Sequence, residues 1–240
     1  MTKERLQKVI AQAGIASRRA AEKLIKAGKV KINGKIVTEL GTKVTPADLI
    51  QVDGRVIEQQ KKDYYLFYKP RGVISAVSDN KGRKVVTDYF PEVRERIYPI
   101  GRLDYDTSGI LLLTNDGDLA NHLMHPKFKI EKTYLAKIKG IPSNEELKKL
   151  SGGVIIDGRK TSSAKVKKFS VNLAKQTSLW LLTIHEGRNH QVKKMFAAIG
   201  HPVIKLKRQN YSFLDLTGLR PGQYRQLSHH EVEQLKKLVK

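Results

Sequence analysis

The chain has 240 residues, 40% of them hydrophobic, enough to bury a core in one large domain or two smaller ones. Lys and Arg total 46 against 23 Asp and Glu, a net charge of +23 that points outward to a polyanionic partner, most commonly nucleic acid. No apolar run approaches the roughly 20 residues of a membrane-spanning helix, the N-terminus lacks a signal-peptide core, and the absence of cysteine excludes disulfides, thiolate nucleophiles and cysteine zinc sites, so a cytoplasmic, membrane-free location is expected.

Leu6, Val9, Ile10 and Ala13 recur at helical spacing, so residues 5–13 read as an amphipathic helix stopped by Gly14. Ser17 is placed to cap a second helix over 18–27, with Gly28 as its stop. Two short apolar runs around Asn33-Gly34 read as a hairpin, and residues 49–52 as a further strand turning at Asp53-Gly54. This is a small α/β module. Its cations gather on one helix and the turn after it: Arg18, Arg19, Lys23, Lys26 and Lys29. A solvated helix face would also be basic, but this clustering, with Arg at a helix start, suits RNA phosphates better.

Residues 59–63, Gln-Gln-Lys-Lys-Asp, are polar and aperiodic and read as a linker. Beyond it the pattern is mostly strand-like. Strands are predicted over 65–68, 73–77, 98–100, 110–114, 132–138, 165–171, 178–184, 203–206 and 211–213. Lys69-Pro70-Arg71-Gly72 reads as a turn carrying two cations. Helices are predicted over 118–125, from a capping box at Ser143 to Leu150, from Asn189 as N-cap to Gly200, and after Ser228. In the third of these, Val192, Met195, Phe196 and Ile199 form the buried stripe, and Lys193 and Lys194 should point outward. The fold class is therefore α+β: a small N-terminal α/β RNA-binding module, then a larger mixed, mainly antiparallel sheet domain with flanking helices.

One stretch stands out. Gly101-Arg102-Leu103-Asp104-Tyr105-Asp106-Thr107-Ser108-Gly109 places two carboxylates in a short loop that runs straight into four aliphatic residues, 110–113. Taken alone it could be a solvated turn whose Asp side chains bond their own backbone. A metal site needs partners at ligand spacing, and neither an EF-hand loop nor His-Glu-x-x-His is present, so no metal is expected. Ser108 lacks the Gly-x-Ser-x-Gly elbow. What remains is a single carboxylate acting on a base or sugar, kept ionised by a nearby cation for which Arg102 and Arg188 are candidates. An unstacked base also needs a wall, which Tyr134 could supply, although an isolated strand Tyr is more often simply half-buried.

The run from Gly101 to Gly117 closely resembles the signature of ribosomal pseudouridine synthases. Tyr68-Lys69-Pro70-x-Gly72, Glu131-Lys132-Thr133-Tyr134 and Glu186-Gly187-Arg188-Asn189-His190-Gln191-Val192-Lys193-Lys194-Met195 resemble the other motifs of that family, in order. Residues 4 to 58 resemble an S-four-type RNA-binding domain. The domains expected are thus 1–58, a linker at 59–63, and a catalytic domain over 64–240.

The resemblance implies that Asp104 is the catalytic carboxylate, that Tyr134 stacks on the target uracil, and that Arg188 pairs with Asp104. Arg102 would brace the loop and the flipped nucleotide. Lys69, Asn189, His190, Lys193 and Lys194 would line the RNA side. The reaction implied is conversion of uridine to pseudouridine in ribosomal RNA, free or in an assembly intermediate, without metal or cofactor. The N-terminal motif leans toward the large-subunit branch. Small-subunit RNA, transfer RNA, a non-catalytic assembly factor and a metal-dependent nuclease are the competing readings. Without heptads or a large apolar surface pattern, a monomer is expected.

Overall fold

The computed structural model describes residues 3–240. Its backbone contacts divide the chain into two compact units, the first running to Asp63 and including 93–96 and 115–117, the second holding the remainder.

In the first unit, helices Leu6–Gln12 and Arg18–Lys26 pack Leu6, Ile10, Ala21 and Ile25 against Val30, Ile50 and Val52 of a four-stranded antiparallel sheet. The cap is as the sequence indicates: the Ser17 side chain accepts from the Ala20 N–H at 3.2 Å. Both hairpin turns use a left-handed residue before glycine, Asn33 and Asp53, whose φ angles of 51° and 48° suit such short polar side chains. The stretch 59–63 is anchored. The Asn115 side chain accepts from the Asp63 N–H at 2.8 Å and donates to the Lys61 carbonyl at 2.7 Å.

The second unit is built on an eight-stranded sheet. Its order by residue range is Lys165–Asn172, Thr177–Ile184, Lys132–Lys139, Val203–Tyr211, Ser108–Thr114, Tyr64–Lys69 and Tyr224–Gln226, with Tyr98–Ile100 also pairing along Ser108–Thr114. Every pairing is antiparallel except that between Val203–Tyr211 and Ser108–Thr114. Helices Gly117–Met124 and His229–Lys237 bury Leu119, Leu123, Val232 and Leu235 with Leu66, Ile110 and Leu112. Helices Asn144–Gly152 and Gln191–Ala198 cover the other end of the sheet, where Leu150, Val192, Met195 and Phe196 meet Ala136, Trp180 and Leu182.

Three expectations change. Residues 73–77 form no strand beyond one bridge between Ile74 and Val85, because the backbone turns there, the Ala76 N–H donating back to the Ile74 carbonyl at 2.9 Å. In place of two late strands at 203–206 and 211–213 there is one, Val203–Tyr211, followed by a turn at 212–213, and its bulges opposite Lys132–Lys139 interrupt the alternation that sequence reading relies on. Asn189 is not a cap: the helix opens at Gln191 behind His190, whose φ is 54°.

Candidate active site

The loop 101–109 enters the sheet at Ser108–Thr114, so its position is fixed by a strand with six buried residues in succession. Its inner side is held by the segment just after Tyr64–Lys69. The Lys69 ammonium is fully buried and donates to the carbonyls of Asp104 (3.1 Å), Thr107 (2.9 Å) and Pro70 (3.0 Å). The Arg71 Nε donates to the Asp106 carbonyl at 2.8 Å, the Gly72 N–H to the Tyr105 carbonyl at 2.7 Å, and Ser75 both donates to and accepts from Leu103. Gly72 has a φ of 75°, which lets the chain double back under the loop. Lys69 therefore does not line an RNA surface as the sequence suggested. Burial lowers its pKa to about 8, from an ordinary 10.5, against the attraction of Asp104 and Asp106.

With its backbone gripped from within, the loop projects the Asp104 carboxylate into a cleft of about 420 Å³. The cleft is lined by Arg102, Asp104, Thr107, Lys132, Tyr134, Arg188, Asn189, His190 and Arg208, among others. The cation beside Asp104 is Lys193, with Nζ 3.1 Å from Oδ2, and the His190 Nε2 lies 3.5 Å from Oδ1. Lys193 also bonds Asp106 at 2.6 Å. Burial alone would lower the Lys193 pKa, but the two carboxylates outweigh it and raise it. Desolvation of Asp106 is in turn outweighed by Lys193, and its carboxyl is held below the usual range.

Arg188 does not pair with Asp104. Its guanidinium donates to the carbonyls of Arg159 (3.1 Å) and Lys160 (2.8 Å) and to Glu186 (3.3 Å). Glu186 is the hub of this second cluster. It accepts from the Ser162 N–H at 3.0 Å and from Gln191 at 2.6 Å. Burial would raise its pKa, but these donors and Arg188 together lower it. The physical reason for the exchange is helical phase. Lys193 lies in the first turn of Gln191–Ala198, facing the loop, whereas Arg188 precedes that helix and turns toward the hairpin at 155–160. Lys193 is thus not outward-pointing, while Lys194 bonds Asp157 at 2.6 Å. Arg102 and Asn189 are exposed at the cleft, and Arg18, Arg19, Lys23, Lys26 and Lys29 are exposed on the first unit, Lys29 lying 3.3 Å from Asp53.

Sequence reading missed Arg208. It is 3% exposed, donates from Nε to the Ile110 carbonyl at 2.8 Å, and reaches the Tyr134 hydroxyl from Nη1 at 3.4 Å. Its Nη2 has no hydrogen-bond partner among the described residues. Nothing in Lys205-Leu206-Lys207-Arg208 distinguishes this cation from its neighbours; strand phase alone turns it inward. Lys132, also missed, bonds the Ile130 carbonyl at 3.1 Å, and burial, then Arg208, lowers its pKa to about 8. Among the described residues no cluster of three or more His, Asp or Glu could hold a metal ion.

The sequence pattern of RNA pseudouridylate synthases matches residues 63–198, more than half the chain, and that of the S4 domain matches residues 4–50. The chain belongs to the RNA pseudouridylate synthase family. It is 63% identical to ribosomal large subunit pseudouridine synthase B of Bacillus subtilis (strain 168), over 98% of this chain and 97% of that protein. An uncharacterized RNA pseudouridine synthase of Aquifex aeolicus (strain VF5) is 39% identical over 100% of this chain and 96% of its own. A crystal structure of a pseudouridylate synthase superposes with a TM-score of 0.67 at 32% identity, covering 96% of this chain and 99% of that one. This synthase is thus a mainly antiparallel α+β enzyme with an N-terminal S4 domain, and none of its described helices is long and apolar enough to cross a membrane.

Proposed function

We propose that this protein converts a specific uridine of large-subunit ribosomal RNA to pseudouridine, with Asp104 as the catalytic carboxylate and no cofactor. The observation that carries this reading is the Asp104 carboxylate, presented into the cleft it shares with Tyr134 and matched by Lys193 at 3.1 Å. The close likeness to a large-subunit synthase supports the choice of RNA.

The target base must leave its stack to reach the cleft. There Tyr134, half-buried on its strand, is placed to pack on a uracil face. The N1–C1′ bond breaks, the uracil turns while held, C5 bonds to C1′, the C5 proton leaves and N1 gains one. Nothing is added or lost, so no co-reactant is needed. Attack by Asp104 at C1′ or C6, or proton removal from C2′, all use the carboxylate that stands 3.1 Å from the Lys193 ammonium. Arg102, exposed at the mouth, is available to the nucleotide backbone.

In this reading residues 1–58 form the RNA-binding module, 59–63 the connection and 64–240 the catalytic domain. The enzyme works as a cytoplasmic monomer on rRNA or an assembly intermediate, a location in keeping with its cysteine-free composition. Carbodiimide mapping of both rRNAs from a deletion strain tests it. One pseudouridine should vanish from large-subunit RNA, return with the wild-type gene and stay absent with Asp104→Asn, while the purified variant still binds RNA. A missing small-subunit site, or pseudouridine made by Asp104→Asn, would sink the respective part of the proposal.

A further inference from the structure

The eight-stranded sheet has two unlike faces at its Lys165–Asn172 end. Strand register sorts the side chains. Tyr134, Ala136, Ile138, Trp180, Leu182 and Leu206 fall on the face covered by Asn144–Gly152 and Gln191–Ala198, which is also the face of the cleft. The opposite face is read from the alternate positions. One row across four strands is Lys167, Leu181, Leu135, Lys207, and the next is Ser170, Leu179, Lys137, Lys205. Lys165 and Lys139 extend the face at its two ends, beside threonines 183 and 177.

No Asp or Glu occupies any of these positions. Lys165 is paired with Glu131 at 2.6 Å, whereas Lys137, Lys139, Lys167, Lys205 and Lys207 make no ion pair among the described residues. Leu135, Leu179 and Leu181 are only partly buried, so this face is open and their neighbours' lysine stems share it. A merely solvated sheet face can be made from alternating charges or Thr. Here Lys137 stands directly opposite Lys205, a like-charge cross-strand pair that destabilises the sheet. The fold carries that cost with no acid at any position of the two rows, which leaves the face open to a polyanionic partner. Lys167 and Lys207 lie three strand spacings apart, about 14 Å, and flank the leucines as two cationic edges. Two cationic edges on an acid-free face suit the phosphate backbone of an A-form helix, which is recognised through shape and backbone.

We propose that this lysine-covered face is a second RNA-binding surface, behind the sheet from the cleft, which grips the phosphate backbone of a double-helical segment of ribosomal RNA without reading its sequence.

The test uses the full chain with Lys137, Lys167, Lys205 and Lys207 all changed to Gln. Binding to an unmodified large-subunit rRNA transcript, and to a plain RNA duplex, is measured between about 50 and about 200 mM salt. The slope of log affinity against log salt should fall by about three to four in magnitude, and affinity near physiological salt by about 10- to 100-fold. Turnover at saturating RNA should not change, and Tm should hold or rise as like charges are removed. The single variants Lys137→Gln and Lys205→Gln each should reduce the slope by about one, which keeps the test decisive if the quadruple variant folds poorly. An unchanged slope for naked RNA overturns the proposal. So does a loss seen only with protein-bearing ribosomal particles, which would assign the face to an acidic protein. The readout is binding rather than turnover, so its result is separate from that of Asp104→Asn.

Discussion

The two walls of the cleft are held in opposite ways. The 101–109 loop is gripped through its backbone by side chains from elsewhere: Lys69, Arg71 and Ser75 all bond its carbonyls. The 186–191 segment is held largely through its own side chains, Glu186, Arg188 and Gln191, which bond one another and the backbone at 159–162. Backbone support leaves the Asp104 side chain free to project into the cleft. Side-chain support consumes the groups that provide it, which is why Arg188 is unavailable to Asp104. The cation Asp104 does meet, Lys193, comes from the first turn of the following helix.

The largest test of this contrast is Lys193→Met. Removing the cation paired with Asp104 should reduce kcat by about 100-fold or more, with pseudouridine formation in single-turnover assays as the measure. Arg188→Met should cost far less, about 10-fold or under, through loosening of the 155–160 hairpin. If Arg188→Met proves the more damaging, the assignment of roles along this motif is wrong.

Lys69→Met should act through stability as well as rate. Three carbonyls, that of Thr107 buried and those of Pro70 and Asp104 partly so, lose their donor, and at about 1 kcal/mol per bond the loss approaches 3 kcal/mol. Denaturant unfolding should register it along with reduced activity. Ser75→Ala removes one contact pair and should cost about 1 kcal/mol by the same measurement. Equal Tm for wild type and Lys69→Met would show that the loop does not depend on this grip.

A subtler effect concerns pH. Lys69 and Lys132 both sit near 8 rather than 10.5, chiefly because of burial. Between those values the unfolded chain holds protons that the folded chain has released, so these two groups make stability rise with pH across that window. Activity should move the other way, because neutral Lys69 has one donor fewer for the loop. The expected profile is a fall in kcat as pH passes about 8 without a matching fall in Tm from these groups. Lys132→Met separates the contributions: the limb should persist in it if Lys69 is responsible. A flat rate from pH 7 to about 9.5 would refute the link.

Sequence by itself determined much of this protein. Helical spacing and capping residues located Ser17, Ser143 and Ser228 as helix starts, and all three side chains accept the expected backbone bonds. Apolar alternation located the long strands, and four motifs in order pointed to the family. These signals are local: a cap or a strand period is written within a few residues. Which cation reaches Asp104 is not local. Lys193, Arg188, Arg102 and Lys69 are all basic residues near motifs, and nothing in the chain ranks them. The tertiary structure decided it, because helix phase turned Lys193 inward, strand burial spent Lys69 on the loop backbone, and Glu186 claimed Arg188. Arg208 was hidden for the same reason, one cation in a basic strand whose inward direction depends on register with a partner more than seventy residues away.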